Sequence, residues 1–131
     1  MPLIWIEEQD VLVLHRRLIE LHGGEDGLRD FNLLASCLAR PRQHLAYADS
    51  IDIIGLASLY TAGIVQSHPF VDGNKRTGFV IGILFLELNG FIFAASEEDA
   101  TEAVLSLANG KLDEASYRAF LRANTVEFDY P

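Results

Sequence analysis

Ten consecutive residues, His68-Pro69-Phe70-Val71-Asp72-Gly73-Asn74-Lys75-Arg76-Thr77, gather an imidazole, a carboxylate, an amide, two cations and a hydroxyl. If a helix starts at Gly73 or Asn74, its first turn offers N–H groups and the positive end of a dipole to an anion. Gly73 lets the chain bend and lets that anion approach without a Cβ in the way. Asn74, Lys75 and Arg76 add donors and charge around the same point, so a phosphate group is the natural ligand. Asp72 has two readings: it caps the helix, or it holds Mg²⁺ beside phosphate oxygens. His68 alone reads as a histidine at a helix C-terminus. Next to a phosphate site it becomes a general base for an attacking hydroxyl. Phe70 reads as a buried anchor for the loop and Pro69 as a stiffener. Arg76 lies at a helix position that could turn inward, and Thr77 could cap, bond back along the helix or touch a ligand. His15 and His22 are expected on the surface of the first helix. His44 and Tyr47 could edge a cleft. Walker-type and dinucleotide-binding glycine patterns are missing, and Asp72-Gly73-Asn74 lacks the further ligands of a calcium loop.

Such a loop must be held by elements on either side. Before it runs the apolar stretch Ile51 to Val65, and after it Gly78 to Leu86. The first is apolar nearly all round, which is the pattern of a buried helix. Asp49 or Ser50 is its expected cap, and it ends near Ser67. The helix after the loop runs to Asn89 and stops at Gly90. Gly55, Gly63, Gly78 and Gly82 lie inside these two helices, where each weakens helix formation by about 1 kcal/mol relative to Ala. Close approach between the two helices is the expected return.

The remaining chain supplies the frame. Helix one is expected over Glu7 to His22, with acids at its start, Val11, Leu14, Leu18 and Leu21 on its apolar face, and Gly23-Gly24 as its stop. Asp30 caps a second helix carrying Phe31, Leu33, Leu34 and Leu38. Pro41 ends it, leaving Arg42 to Ala48 irregular. Phe91-Ile92-Phe93 is a short extended segment. Ser96 opens a fifth helix that reaches Ala108, and Asp113 caps a last one through Tyr117, Phe120 and Leu121. Residues 125–131 read as a loose tail. The expectation is an all-α fold, one domain over 131 residues.

Composition narrows the function class. Ten basic residues face 19 acidic ones, a formal net charge of -9. Direct nucleic-acid binding is disfavoured, because phosphate backbones want a basic face. A basic protein partner suits the surface better. Cys37 is the single cysteine, so no intramolecular disulfide or cysteine metal cluster can form. The start lacks the basic region of a signal peptide, and the longest apolar run falls short of the roughly 20 residues of a membrane span. A cytosolic protein is expected.

The motif His68-x-Phe70-x-Asp72-Gly73-Asn74-Lys75-Arg76 resembles the signature of the Fic/Doc superfamily, most closely its Doc branch of bacterial toxins of toxin–antitoxin pairs. The resemblance implies a compact helical fold with the motif between two central helices. Fic members transfer AMP from ATP to a protein hydroxyl, with a glycine where Lys75 stands and a second arginine where Phe79 stands. Both departures match the Doc branch, which moves the terminal phosphate of ATP to a threonine of elongation factor Tu. Carried over by position, His68 would be the base and Asp72 would hold Mg²⁺ or orient the catalytic groups. Gly73, Asn74, Lys75 and Arg76 would bind the ATP phosphates. The resemblance also implies a separate antitoxin with a segment seated in a groove of the toxin. A nucleotidyl transferase on the same scaffold, or a non-catalytic module binding antitoxin or nucleotide, are the alternative readings.

Overall fold

The computed structural model describes residues 2–47 and 50–128. The fold is mostly helical, in the order α1 (Glu8–His22), α2 (Phe31–Tyr47), α3 (Ile53–Ser67), α4 (Asn74–Leu88), β1 (Phe91–Phe93), α5 (Glu97–Ala108), α6 (Glu114–Ala123) and β2 (Thr125–Glu127). α3 is the axis of the molecule. Its residues from Gly55 to Val65 are all buried, which is why its sequence shows no polar face. α2, α4, α5 and α6 all pack on it, α4 most extensively.

Two glycines set the α3–α4 contact. A Cβ on Gly82 would stand 2.2 Å from Thr61 Oγ1 and 3.1 Å from the Ala57 carbonyl oxygen. One on Gly78 would meet Val65 Cγ2 at 2.9 Å and the Thr61 carbonyl at 3.1 Å. Thr61 Oγ1 donates to the Gly78 carbonyl at 2.8 Å, a side-chain bond between the two helices. The other two glycines serve elsewhere. Gly63 faces Cys37 of α2, and Gly55 lies against Ile51 and the capping Asp52.

Caps fix most helix starts. Asp30 accepts from the Leu33 N–H at 3.1 Å, Ser96 from Asp99 at 3.1 Å and Asp113 from Ser116 at 2.8 Å. The start of α3 differs from expectation. Its cap is Asp52, whose carboxylate accepts from the Gly55 N–H at 2.8 Å. Ser50 is not the cap, and Asp49 lies outside the described residues. Asp52 wins because it also meets Arg122 of α6 at 2.7 Å.

Two further expectations are corrected. α2 does not stop at Pro41 but continues to Tyr47. A proline inside a helix costs about 3 kcal/mol. Here its ring is buried, and tertiary contacts hold the turns on either side. Arg40 pairs with Glu114 at 2.8 Å, and Arg42 pairs with Glu7 and lies over the Trp5 ring. The last stretch also departs from a loose tail. Thr125–Glu127 forms β2, antiparallel to β1 with Ile92 opposite Val126. Residues 129–131 lie outside the described residues. Phe93 meets Phe79 and Phe120 edge-on, tying the small sheet to α4 and α6. Among the described residues no helix is long and apolar enough to cross a membrane.

Candidate functional site

α3 ends in an unusual turn. His68 is its C-cap, with φ 55° and ψ 58°, and its N–H donates to the Ile64 carbonyl at 3.2 Å. It is the sole non-glycine with positive φ among the described residues. A left-handed conformation costs a residue bearing a Cβ about 1–3 kcal/mol, so the surroundings must hold it there. They do so through the loop between α1 and α2. Arg29 Nε donates to the His68 carbonyl at 2.7 Å and its Nη2 to the Ser67 carbonyl at 2.9 Å. The Pro69 carbonyl accepts from the N–H groups of Arg29 (2.7 Å) and Asp30 (3.0 Å). Leu28 forms an antiparallel bridge with Phe70, and the Val71 N–H donates to the Gly27 carbonyl at 3.0 Å. The His68 side chain itself is exposed and makes no hydrogen bond among the described residues.

Phe70 is the expected anchor, 1% exposed. Asn74 locks the turn around it. Its Oδ1 accepts from the Phe70 N–H at 3.0 Å and its Nδ2 donates to the Phe70 carbonyl at 2.9 Å. The Asn74 side chain is therefore buried and committed to the loop, and only its backbone N–H remains for a ligand. This differs from an amide reaching out to phosphate.

Asp72 does not cap α4. Gly73 occupies the N-cap position, with φ 77°. The Asp72 carboxylate instead accepts from the Glu25 N–H at 3.1 Å and from the Gly73 N–H at 2.8 Å. Gly24 makes room for it, since a Cβ there would stand 2.8 Å from Asp72 Oδ2. The Glu25 and Gly73 N–H groups, helped by Lys75, hold this carboxyl below the usual carboxylate range. It is ionised, exposed and has lone pairs to spare.

His15 belongs to this site and not to the surface. It is 2% exposed and lies on the buried stripe of α1 with Val11 and Ile19, whereas Leu21 is 76% exposed. Its ring stacks on Phe70, with centroids 3.8 Å apart and an 8° tilt. Its Nε2 donates to the Asp72 carbonyl at 2.8 Å. A histidine at an apolar position of an amphipathic helix was the available signal, but nothing in the sequence links position 15 to position 72.

Lys75 and Arg76 are exposed on the first turn of α4, so Arg76 does not turn inward. Thr77 is fully buried and its Oγ1 has no hydrogen-bond partner among the described residues. His22, His44 and Tyr47 are exposed, and no hydrogen bond or ion pair joins them to the motif. The site thus presents an unencumbered imidazole, an ionised carboxylate and a helix N-terminus flanked by two cations. An anion seated on that terminus would lie among groups suited to phosphate. No cluster of three or more metal-ligating side chains occurs among the described residues. A single carboxylate nevertheless fits Mg²⁺, which keeps several waters and is completed by substrate phosphates.

The chain is similar to known proteins over most of its length. A family model described as the Fic/DOC family matches residues 5–86, a span that includes α1 to α4 up to Leu86 and the whole motif. Protein kinase doc of Escherichia phage P1 is 28% identical over 117 residues, 89% of this chain and 92% of that protein. Toxin Doc of Mycolicibacterium smegmatis is 35% identical over 74 residues, 56% of this chain and 57% of its own.

Proposed function

The chain belongs to the Fic/DOC family, and on that footing we propose that it is the toxin of a toxin–antitoxin pair, an ATP-dependent protein kinase acting in the bacterial cytoplasm. Its substrate is a threonine or serine hydroxyl of a translation factor, with elongation factor Tu the first candidate, and its modification stops translation. A separate antitoxin segment, seated in a groove of the toxin, restrains it. One observation carries the reading. The free His68 imidazole leaves a strained turn that leads within six residues to the N-terminus of α4, a place suited to an anion.

In this mechanism the backbone N–H groups at the start of α4, with Lys75 and Arg76, bind the ATP phosphates and balance their charge. Gly73 lets them approach closely, and Asn74 keeps the turn in shape from within. His68 accepts the proton of the target hydroxyl as its oxygen bonds to the terminal phosphorus. The bond from that phosphorus to the bridging oxygen breaks, and ADP leaves. Asp72, ionised and anchored by two N–H groups, would hold Mg²⁺, which supplies charge neutralisation on the phosphates when bound. Phe79 is packed edge-on against Phe93. It offers no cation at the position where AMP-transferring relatives carry a second arginine, which favours phosphate over AMP transfer.

The test is intact-protein mass spectrometry of elongation factor Tu incubated with the purified protein, ATP and Mg²⁺, beside the His68→Ala variant. A gain of one phosphate, absent with the variant, is the expected result. A gain of AMP would replace kinase by nucleotidyl transfer. No modification of this factor or of any protein in a bacterial lysate would leave a non-catalytic binding module.

A further inference from the structure

Two side chains outside the motif hold it at opposite ends. Arg29 bonds the Ser67 and His68 carbonyls with one guanidinium, and its own N–H donates to the Pro69 carbonyl. The end of a helix leaves such carbonyls without partners inside the helix. A planar fork that satisfies two of them also fixes their relative direction, which a lysine cannot do. Since no bond holds the His68 imidazole directly, its position follows from that backbone.

His15 acts at the other end. Its Nε2–H donates to the Asp72 carbonyl, and its face is stacked on Phe70. Its Nδ1 lies 3.8 Å from Asp26 Oδ1, beyond hydrogen-bond reach. The same Nε2 lies 3.5 Å from where Gly73 would carry a Cβ, so it also backs the turn that starts α4.

We infer that Arg29 and His15 are positioning residues with separate tasks: Arg29 sets the base His68, and His15 sets the Asp72–Gly73 turn that aims the α4 N-terminus at the nucleotide. The inference rests on the phosphotransfer reading given above. It predicts that the two residues fail in different kinetic parameters, whereas two mere stabilisers would fail alike.

Arg29→Met and His15→Leu remove the donors while keeping most of the bulk. His15→Gln restores an N–H of similar reach. Transfer is measured well below the lowest melting temperature of the set. Arg29→Met is expected to lower kcat about a hundredfold, the scale of a misplaced catalytic group, with KM for ATP nearly unchanged. His15→Leu is expected to raise KM for ATP about tenfold, the scale of one buried acceptor left unsatisfied, and His15→Gln to recover most of it. Should His15→Leu fail to fold, His15→Asn falls short of the Asp72 carbonyl and replaces it. Losses shared equally between kcat and KM, or no loss in either variant, would overturn the inference. A second measurement, Mg-ATP binding by calorimetry in a His68→Ala background, needs no transfer. The same split there, beside a His68-bearing parent that transfers no phosphate, would uphold the His15 anchor and sink the kinase reading. Equal binding by both variants would sink the anchors alone, and no ATP binding at all would sink both.

Discussion

His68 carries the strain of the loop and, in the proposed mechanism, its base. Its left-handed backbone is held by Arg29, while its ring is left free. Replacing it with alanine should therefore abolish transfer by at least about a hundredfold, the usual worth of a general base. The melting temperature should hardly move, because no side-chain bond is lost. A melting temperature that falls in step with activity would mark the ring as structural. Asn74 should behave in the opposite way. Asn74→Ala strands the buried Phe70 N–H and carbonyl, which costs about 1–3 kcal/mol each way such a group is left unpaired. Urea unfolding of that variant reads the loss directly, and an unchanged midpoint would show the turn held without the amide. The types of these residues pointed to a phosphate site. Their division of labour did not show, because it depends on which direction each side chain takes from a turn that the sequence does not specify. His15 was illegible for a related reason, since its partner lies 57 positions away.

At the scale of elements, periodicity and caps were readable wherever they are local. Asp30, Ser96 and Asp113 each bond an N–H three residues on, so a short window contains both partners. The misses share one cause. Asp52 rather than Ser50 starts α3 because of Arg122, the turn after Pro41 persists because of Glu7 and Trp5, and β2 exists because of β1. Each is decided by a residue far away in the chain. The α3–α4 contact gives the clearest test of packing. Gly82→Ala would drive a methyl into Thr61 Oγ1 and should destabilise the fold by about 1–3 kcal/mol. Pairing it with Thr61→Ala removes the hydroxyl in the way and should recover part of the loss. A Gly82→Ala protein as stable as the parent would show that the helices can separate freely.

Across the whole molecule, acidity is the governing property. Asp72 is held below its ordinary value by the Glu25 and Gly73 N–H groups, and Asp113 by the Ser116 hydroxyl and N–H. For Asp52, partial burial pushes upward, but Arg122 and the Gly55 N–H outweigh it and the net shift is also downward. A carboxyl depressed in the folded state stabilises it fully above the unfolded value, here 3.8, and that contribution disappears as pH falls through the folded value. Melting temperature at physiological salt should be level above about pH 5 and fall below about pH 4. Asp52→Asn should flatten part of that fall, and stability rising on acidification would contradict the assignment. Burial raises the Cys37 thiol, with bonding from Ser67 acting against it. A thiol probe should therefore react with it only on unfolding.

The largest helix–helix contact joins α3 and α4, neighbours in the chain separated only by the six residues of the His68 turn. Closing so short a loop is entropically undemanding, and contacts of low sequence separation form quickly. The hairpin of α3 and α4 is thus the expected folding nucleus, with α5, α6 and the sheet joining late. Core truncations in α3 or α4 should slow refolding, while those in α6 should chiefly speed unfolding, a division that chevron kinetics resolve. The order has a physiological side. On the ribosome the turn bearing His68 would take shape before β2 has been made, so under the toxin reading proposed above an antitoxin would have reason to be present during synthesis.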